Sequence, residues 1–150
     1  MSKRKDILSS IKDLTFTGFA TIQRSIGLVA LDKIETTLDF PLLEIVNGNE
    51  VHTPATNQQL SGELTVLMAI TVTNPKPEDL DEGTDPNDFI SNLMDNLMDT
   101  VFEVMNENET MKGNALSTVL TETKTEREIV DSDTFQRAVM TFTIKFDVIL

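Results

Sequence analysis

Two stretches of this chain alternate with a period of two over a dozen residues each, and they limit the fold more than any other feature. In residues 62–73, Leu64, Val66, Met68, Ile70 and Val72 fall on one side, with Thr65, Leu67, Ala69, Thr71 and Thr73 on the other. In residues 135–149, Ala138, Met140, Phe142, Ile144, Phe146 and Val148 share a side, opposed by Arg137, Val139, Thr141, Thr143, Lys145 and Asp147. Successive side chains of a strand point to opposite faces, so each stretch predicts a strand with one wholly apolar face that has to be covered. The second face of 62–73 is small and semi-apolar. It suits a helix or a neighbouring subunit lying on it.

The cover is written between them. Asp85 stands at an N-cap position, Pro86 at the first helical position, and Asp88 in the first turn, where the helix dipole favours an acid. Phe89, Ile90, Leu93, Met94, Leu97, Met98, Val101, Phe102, Val104 and Met105 then form an apolar stripe along a helix over 86–106. Asn92, Asp95, Asn96, Asp99, Thr100, Glu103 and Asn106 take the other side. At about 1.5 Å per residue this rod is about 30 Å long, enough to cross a small sheet. Its Met and Phe positions read as core; a partner groove is the alternative. A shorter amphipathic helix is expected over 3–14 from Ile7, Leu8, Ile11 and Leu14, with Ser2 as a possible cap, before Gly18 breaks the pattern.

Residues 19–46 read as extended pieces, including Phe19–Ile22; residues 28–36 are ambiguous between strand and helical turn. Residues 38–46 read as a strand whose Pro41 belongs at a strand start or sheet edge. Asn47-Gly48-Asn49 signals a turn closing it. The polar run 52–61 reads as a loop, and 74–85, with two prolines and a cluster of acids, as an acidic loop. A turn at Gly113 leads into 116–130, rich in Thr and charge, an exposed edge-like strand. Asp131-Ser132-Asp133 is a turn, so the last two strands should pair antiparallel. The expected class is α+β: one domain over 1–150, a mostly antiparallel sheet with a long helix and a short N-terminal helix packed on one face.

Composition narrows the function classes. The chain has no Cys, which removes disulfides, thiolate nucleophiles and thiolate zinc sites. Its net charge of −13 is concentrated in the second half, and eleven acids between Glu78 and Glu109 occur with no base among them. Such a surface repels nucleic acid and anionic membranes, and Lys3-Arg4-Lys5 is too short to act as a binding arm. No apolar run reaches the ~20 residues of a membrane span, and the charged N-terminus is followed by no apolar signal region. His52 is the single histidine and reads as a polar loop residue: it has no cysteine partner for a metal site, and no nucleophile elbow is present. Asp79, Asp81 and Asp85 are loosely spaced like calcium ligands but lack the EF-hand pattern. The acidic run reads first as a solvated loop and helix face, then as an electronegative surface with a role. No pair of carboxylates stands out for acid–base work. With 8 Phe but no Trp and no Tyr, any interface has to rest on strand edges, Phe, Met, Leu and charge.

The landmarks fall in a familiar order. An amphipathic helix precedes Phe40-Pro41-Leu42-Leu43-Glu44-Ile45-Val46-Asn47-Gly48-Asn49-Glu50, then come a strand at Leu64–Thr73, a loop, a long helix starting near an Asp, a turn at Gly113, a Thr/Glu-rich strand and a final alternating strand at Ala138–Val148. This layout resembles the tail terminator (tail completion) proteins of long-tailed bacteriophages. The resemblance implies a non-enzymatic virion protein without cofactor, assembled in the host cytoplasm. It implies a ring, usually of six copies, that caps the head-proximal end of the tail tube, ends its polymerisation and joins tail to head. Implied partners are further copies of the chain, the tail tube protein and the head-completion or connector protein; DNA passes through the ring unbound. On this reading Glu78, Asp79, Asp81, Glu82, Glu122, Glu126 and Glu128 are candidate lumen or interface acids, and Phe40, Pro41, Leu42 and Leu43 a candidate assembly strand. The alternatives are a tail tube or other neck subunit, and an acidic DNA-mimic inhibitor; an enzyme ranks last.

Overall fold

Long alternating strands need a long cover, and the computed structural model meets that need with one sheet and two helices on its apolar face. It describes residues 3–26, 38–56, 59–75, 78, 80–130 and 133–149. Ser2, the ambiguous segment 28–36, Asp79 and the first two residues of the 131–133 turn lie outside these. The elements are α1 (Lys3–Lys12), β1 (Thr21–Ile26), β2 (Leu42–Thr56), β3 (Gln59–Thr73), α2 (Pro86–Glu107), β4 (Ser117–Val130) and β5 (Asp133–Ile149). The sheet order is β1-β2-β3-β5-β4; β1 runs parallel to β2, and every other neighbour is antiparallel. The fold is thus α+β, as the periodicities predict.

The core forms where the predicted faces meet. Leu64, Val66, Met68, Ile70 and Val72 of β3, Ala138, Met140, Phe142, Ile144 and Phe146 of β5, and Leu43 and Ile45 of β2 are buried in one cluster. Ile90, Met94, Leu97, Val101 and Met105 of α2 and Ile7 and Ile11 of α1 close it. The α2 stripe that packs is narrower than the sequence suggested: Phe89 and Phe102 are exposed. The N-terminus of α2 is held by Asp85, whose carboxylate accepts from the Asn87 N–H at 2.9 Å. At its far end Met111, Lys112 and Gly113 all take positive φ. That tight turn is clasped by α1, since Ser10 Oγ donates to the Met111 carbonyl at 3.1 Å and Lys112 Nζ donates to Asp13 Oδ2 at 2.7 Å. Arg24 of β1 caps the other side of α1, donating to the carbonyls of Ile11 and Leu14.

Three expectations need correction. Asn47-Gly48-Asn49 does not reverse the chain, and the expected loop is strand at 52–56 and 59–61: β2 runs on to Thr56 and pairs antiparallel with β3 along its length. The register against β3 shifts between Asn47 and Glu50, so the signal marks a bulge. Gly48 is needed there for closeness, because a Cβ would stand 2.6 Å from the Thr65 carbonyl oxygen. Pro54 fits in a strand because, among the described residues, β1 covers only Leu42–Val46 and leaves the rest of β2 as an edge, where a missing N–H costs no ladder bond. His52 accordingly lies on β2, edge-on to the Phe146 ring and 3.6 Å from Glu50. Arg137, expected to face outward, is buried on the opposite face of the sheet.

Candidate functional site

The two helices occupy one face of the sheet, which leaves the opposite face and the borders as the sheet's own candidate recognition surfaces. That opposite face has two halves. In one, Leu42, Val46, Ala69, Thr71 and Phe135 are buried, and Phe40 tilts against Phe135 with ring centroids 5.3 Å apart. In the other, Thr65, Leu67, Val139, Thr141 and Thr143 are half-buried, and Val119 is exposed. The bare half is Thr-rich and only partly apolar.

A buried charge network sits at the boundary. Arg137 Nε donates to Thr71 Oγ1 at 3.2 Å, its Nη2 donates to Glu44 Oε1 at 3.2 Å, and its Nη1 lies 3.8 Å from Glu126 Oε1. These four residues come from β3, β2, β4 and β5, so a single guanidinium spans four adjacent strands. Burying ions is unfavourable unless they are paired and hydrogen-bonded, a condition this network meets across four strands. Sequence reasoning missed this. The signal was Glu44 inside an apolar run; Arg137, on the polar side of an alternating strand, gave none of its own.

The candidate acids fall into two groups. Glu78, Asp81 and Glu82 are exposed on the acidic loop; Asp79 lies outside the described residues. The loop springs from beside the start of β5, where the Asn74 N–H donates to the Thr134 carbonyl and Gln136 Nε2 donates to Asn74 Oδ1. Glu122 and Glu126 are exposed on β4, the edge strand, and Glu128 follows at its backbone position opposite Phe135. The strand acids are partly neutralised, Glu122 by Lys124 at 3.4 Å and Glu126 by Arg137. The loop acids have no cation partner of this kind among the described residues. Likewise, no group of three or more His, Asp or Glu is placed to hold a metal among the described residues.

The candidate assembly strand is differently situated. Leu42 and Leu43 are fully buried in β2, which is flanked there by β1 and β3 and offers no free edge. Phe40 and Pro41 are half-buried and join Val72, Phe89 and Leu93 around an open apolar cleft of about 200 Å³ at the α2 N-terminus. No helix among the described residues is long and apolar enough to cross a membrane. No protein-family model and no curated protein matches the chain.

Proposed function

We propose that the protein is a structural subunit that associates with copies of itself into a ring, capping the head-proximal end of a phage tail tube and joining it to the head. The observation that carries this reading is the one-sided covering of the sheet. Both helices close one face, while half of the other stays bare and Thr-rich. At about 3.3 Å per residue the seventeen residues of β5 span about 56 Å, whereas the twenty-two residues of α2 span about 33 Å. The sheet therefore extends past its helical cover, and ribbons of that kind gain stability from a neighbour. The order of sequence landmarks gives the reading its specific form. The acids of the 74–85 loop and of β4 then serve a channel through which DNA slides without sticking.

Deletion of the gene tests the proposal. Tails of uncontrolled length, or tails that fail to join heads, are required; normal tails end it. Negative-stain micrographs of the protein alone and with tail tubes separate the neighbouring readings, since long filaments indicate a tube subunit and rings that stop at the tube end indicate a terminator. Tight, salt-sensitive capture of a basic DNA-binding protein, with no effect on tails, would instead favour the DNA mimic.

A further inference from the structure

Among the described residues the sheet ends at β4, a fourteen-residue strand with β5 on one side and no strand on the other. One of its two rows of backbone N–H and C=O groups is therefore open to another chain. A register shift against β5 between Leu120 and Glu122 bulges the strand, and Thr121 Oγ1 closes the bulge by donating to the Thr141 carbonyl at 3.2 Å. From Glu122 onward the ladder to β5 is unbroken, and every side chain from Thr121 to Arg127 is exposed. The stretch Glu122-Thr123-Lys124-Thr125-Glu126 reads the same in both directions. Charge alternates along one face, and threonines line the other.

We infer that β4 recognises itself: two copies of the chain pair antiparallel through residues 122–128 about a two-fold axis at Thr125, joining two five-stranded sheets edge to edge. The three central positions of this palindrome differ as centres. With the axis at Lys124, lysine meets lysine and Glu122 meets Glu126, so like charges oppose each other throughout. An axis at Thr123 matches Glu122 to Lys124 but brings the bulged Thr121 into the new ladder. An axis at Thr125 keeps the bulge outside, sets Lys124 opposite Glu126 of the second copy twice, and pairs Thr125 with itself. Its outermost pairs oppose Glu122 to an acid, at the solvated ends of the ladder where salt screens them. Lys124 and Glu122 are both well exposed, so neither has to leave a packed position to take part. This contact closes at two copies. It is distinct from the head-to-tail contact a ring requires, and it stands whether or not the tail reading does.

The test uses a property of the chain itself. There is no cysteine, so Thr125→Cys introduces the only thiol. Directly opposed residues in an antiparallel pair have Cα atoms about 4.5–5.5 Å apart, within disulfide range. Mild oxidation should therefore link Thr125→Cys into a dimer. Thr123→Cys should stay unlinked, its two copies being about 13 Å apart along the ladder. By sedimentation, Lys124→Glu should weaken dimerisation by roughly tenfold or more, and mixing it with Glu126→Lys should restore association. If Glu126→Lys fails to fold because it meets Arg137, the two cysteine variants and Lys124→Glu still decide. A wild-type protein that stays monomeric at every concentration, or cross-linking at position 123 in place of 125, overturns the inference.

Discussion

Arg137 stands where a strand pattern alone calls for an outward polar residue, yet it is only 2% exposed. Removing it leaves Glu44 buried without its guanidinium partner, and breaking a buried pair from one side costs about 3–5 kcal/mol. Arg137→Met is expected to lower stability by that amount in urea titration. Adding Glu44→Leu should recover part of it, because the stranded carboxylate is gone. Asp13 is the opposite case. Lys112 holds its carboxyl below its ordinary value of 3.8, chiefly through their hydrogen bond, while both side chains remain in water. A depressed folded-state value means the pair stabilises above the ordinary carboxylate range, and the benefit fades as pH falls through the folded value. Asp13→Asn should therefore lower the Tm at neutral pH, and the two melting curves should converge in strong acid and in molar salt.

At the scale of elements, glycines decide where the long β2–β3 pair can lie flat. A Cβ on Gly62 would come within 2.4 Å of the Phe146 ring, which rests across β3 at that point. Gly62→Val should displace the ring and cost about 1–3 kcal/mol, read as a lower urea midpoint with unchanged helix content. This element also shows where the sequence was legible. The inward faces of β3 and β5 and the capped start of α2 were readable because periodicity and capping act locally. The β2 extension was not. Its residues 49–54 are polar or proline-interrupted because that stretch is an edge, and edge strands carry loop-like composition. The glycine of Asn47-Gly48-Asn49 supports a turn and a bulge equally well, and only the partner strand decides which. The Arg137 network was hidden for the same reason, since its four members become neighbours only through register. Of the candidate site, the exposure of Glu78, Asp81, Glu82, Glu122 and Glu126 followed from charge, whereas the burial of Leu42 and Leu43 depended on β1 pairing alongside.

For the whole molecule, the uncovered part of the sheet and the acidic loop define the surface on which the proposed assembly turns. Replacing Glu78, Asp81 and Glu82 together with lysine should leave folding intact by circular dichroism, because all three are exposed. On the tail reading the variant should still cap tubes in micrographs while infectivity falls, as cations on the DNA path hold the phosphate backbone. Unchanged infectivity would remove those acids from the channel. The strand order has a further consequence for synthesis. β5 leaves the ribosome after every other strand, yet it lies between β3 and β4. Until it arrives, β3 shows an unsatisfied apolar border and β4 has nothing to lie against. A polypeptide cut short before Asp133 is therefore no smaller version of this protein but a fragment with two unsatisfied strand borders, and it is expected to aggregate under conditions where the intact chain does not.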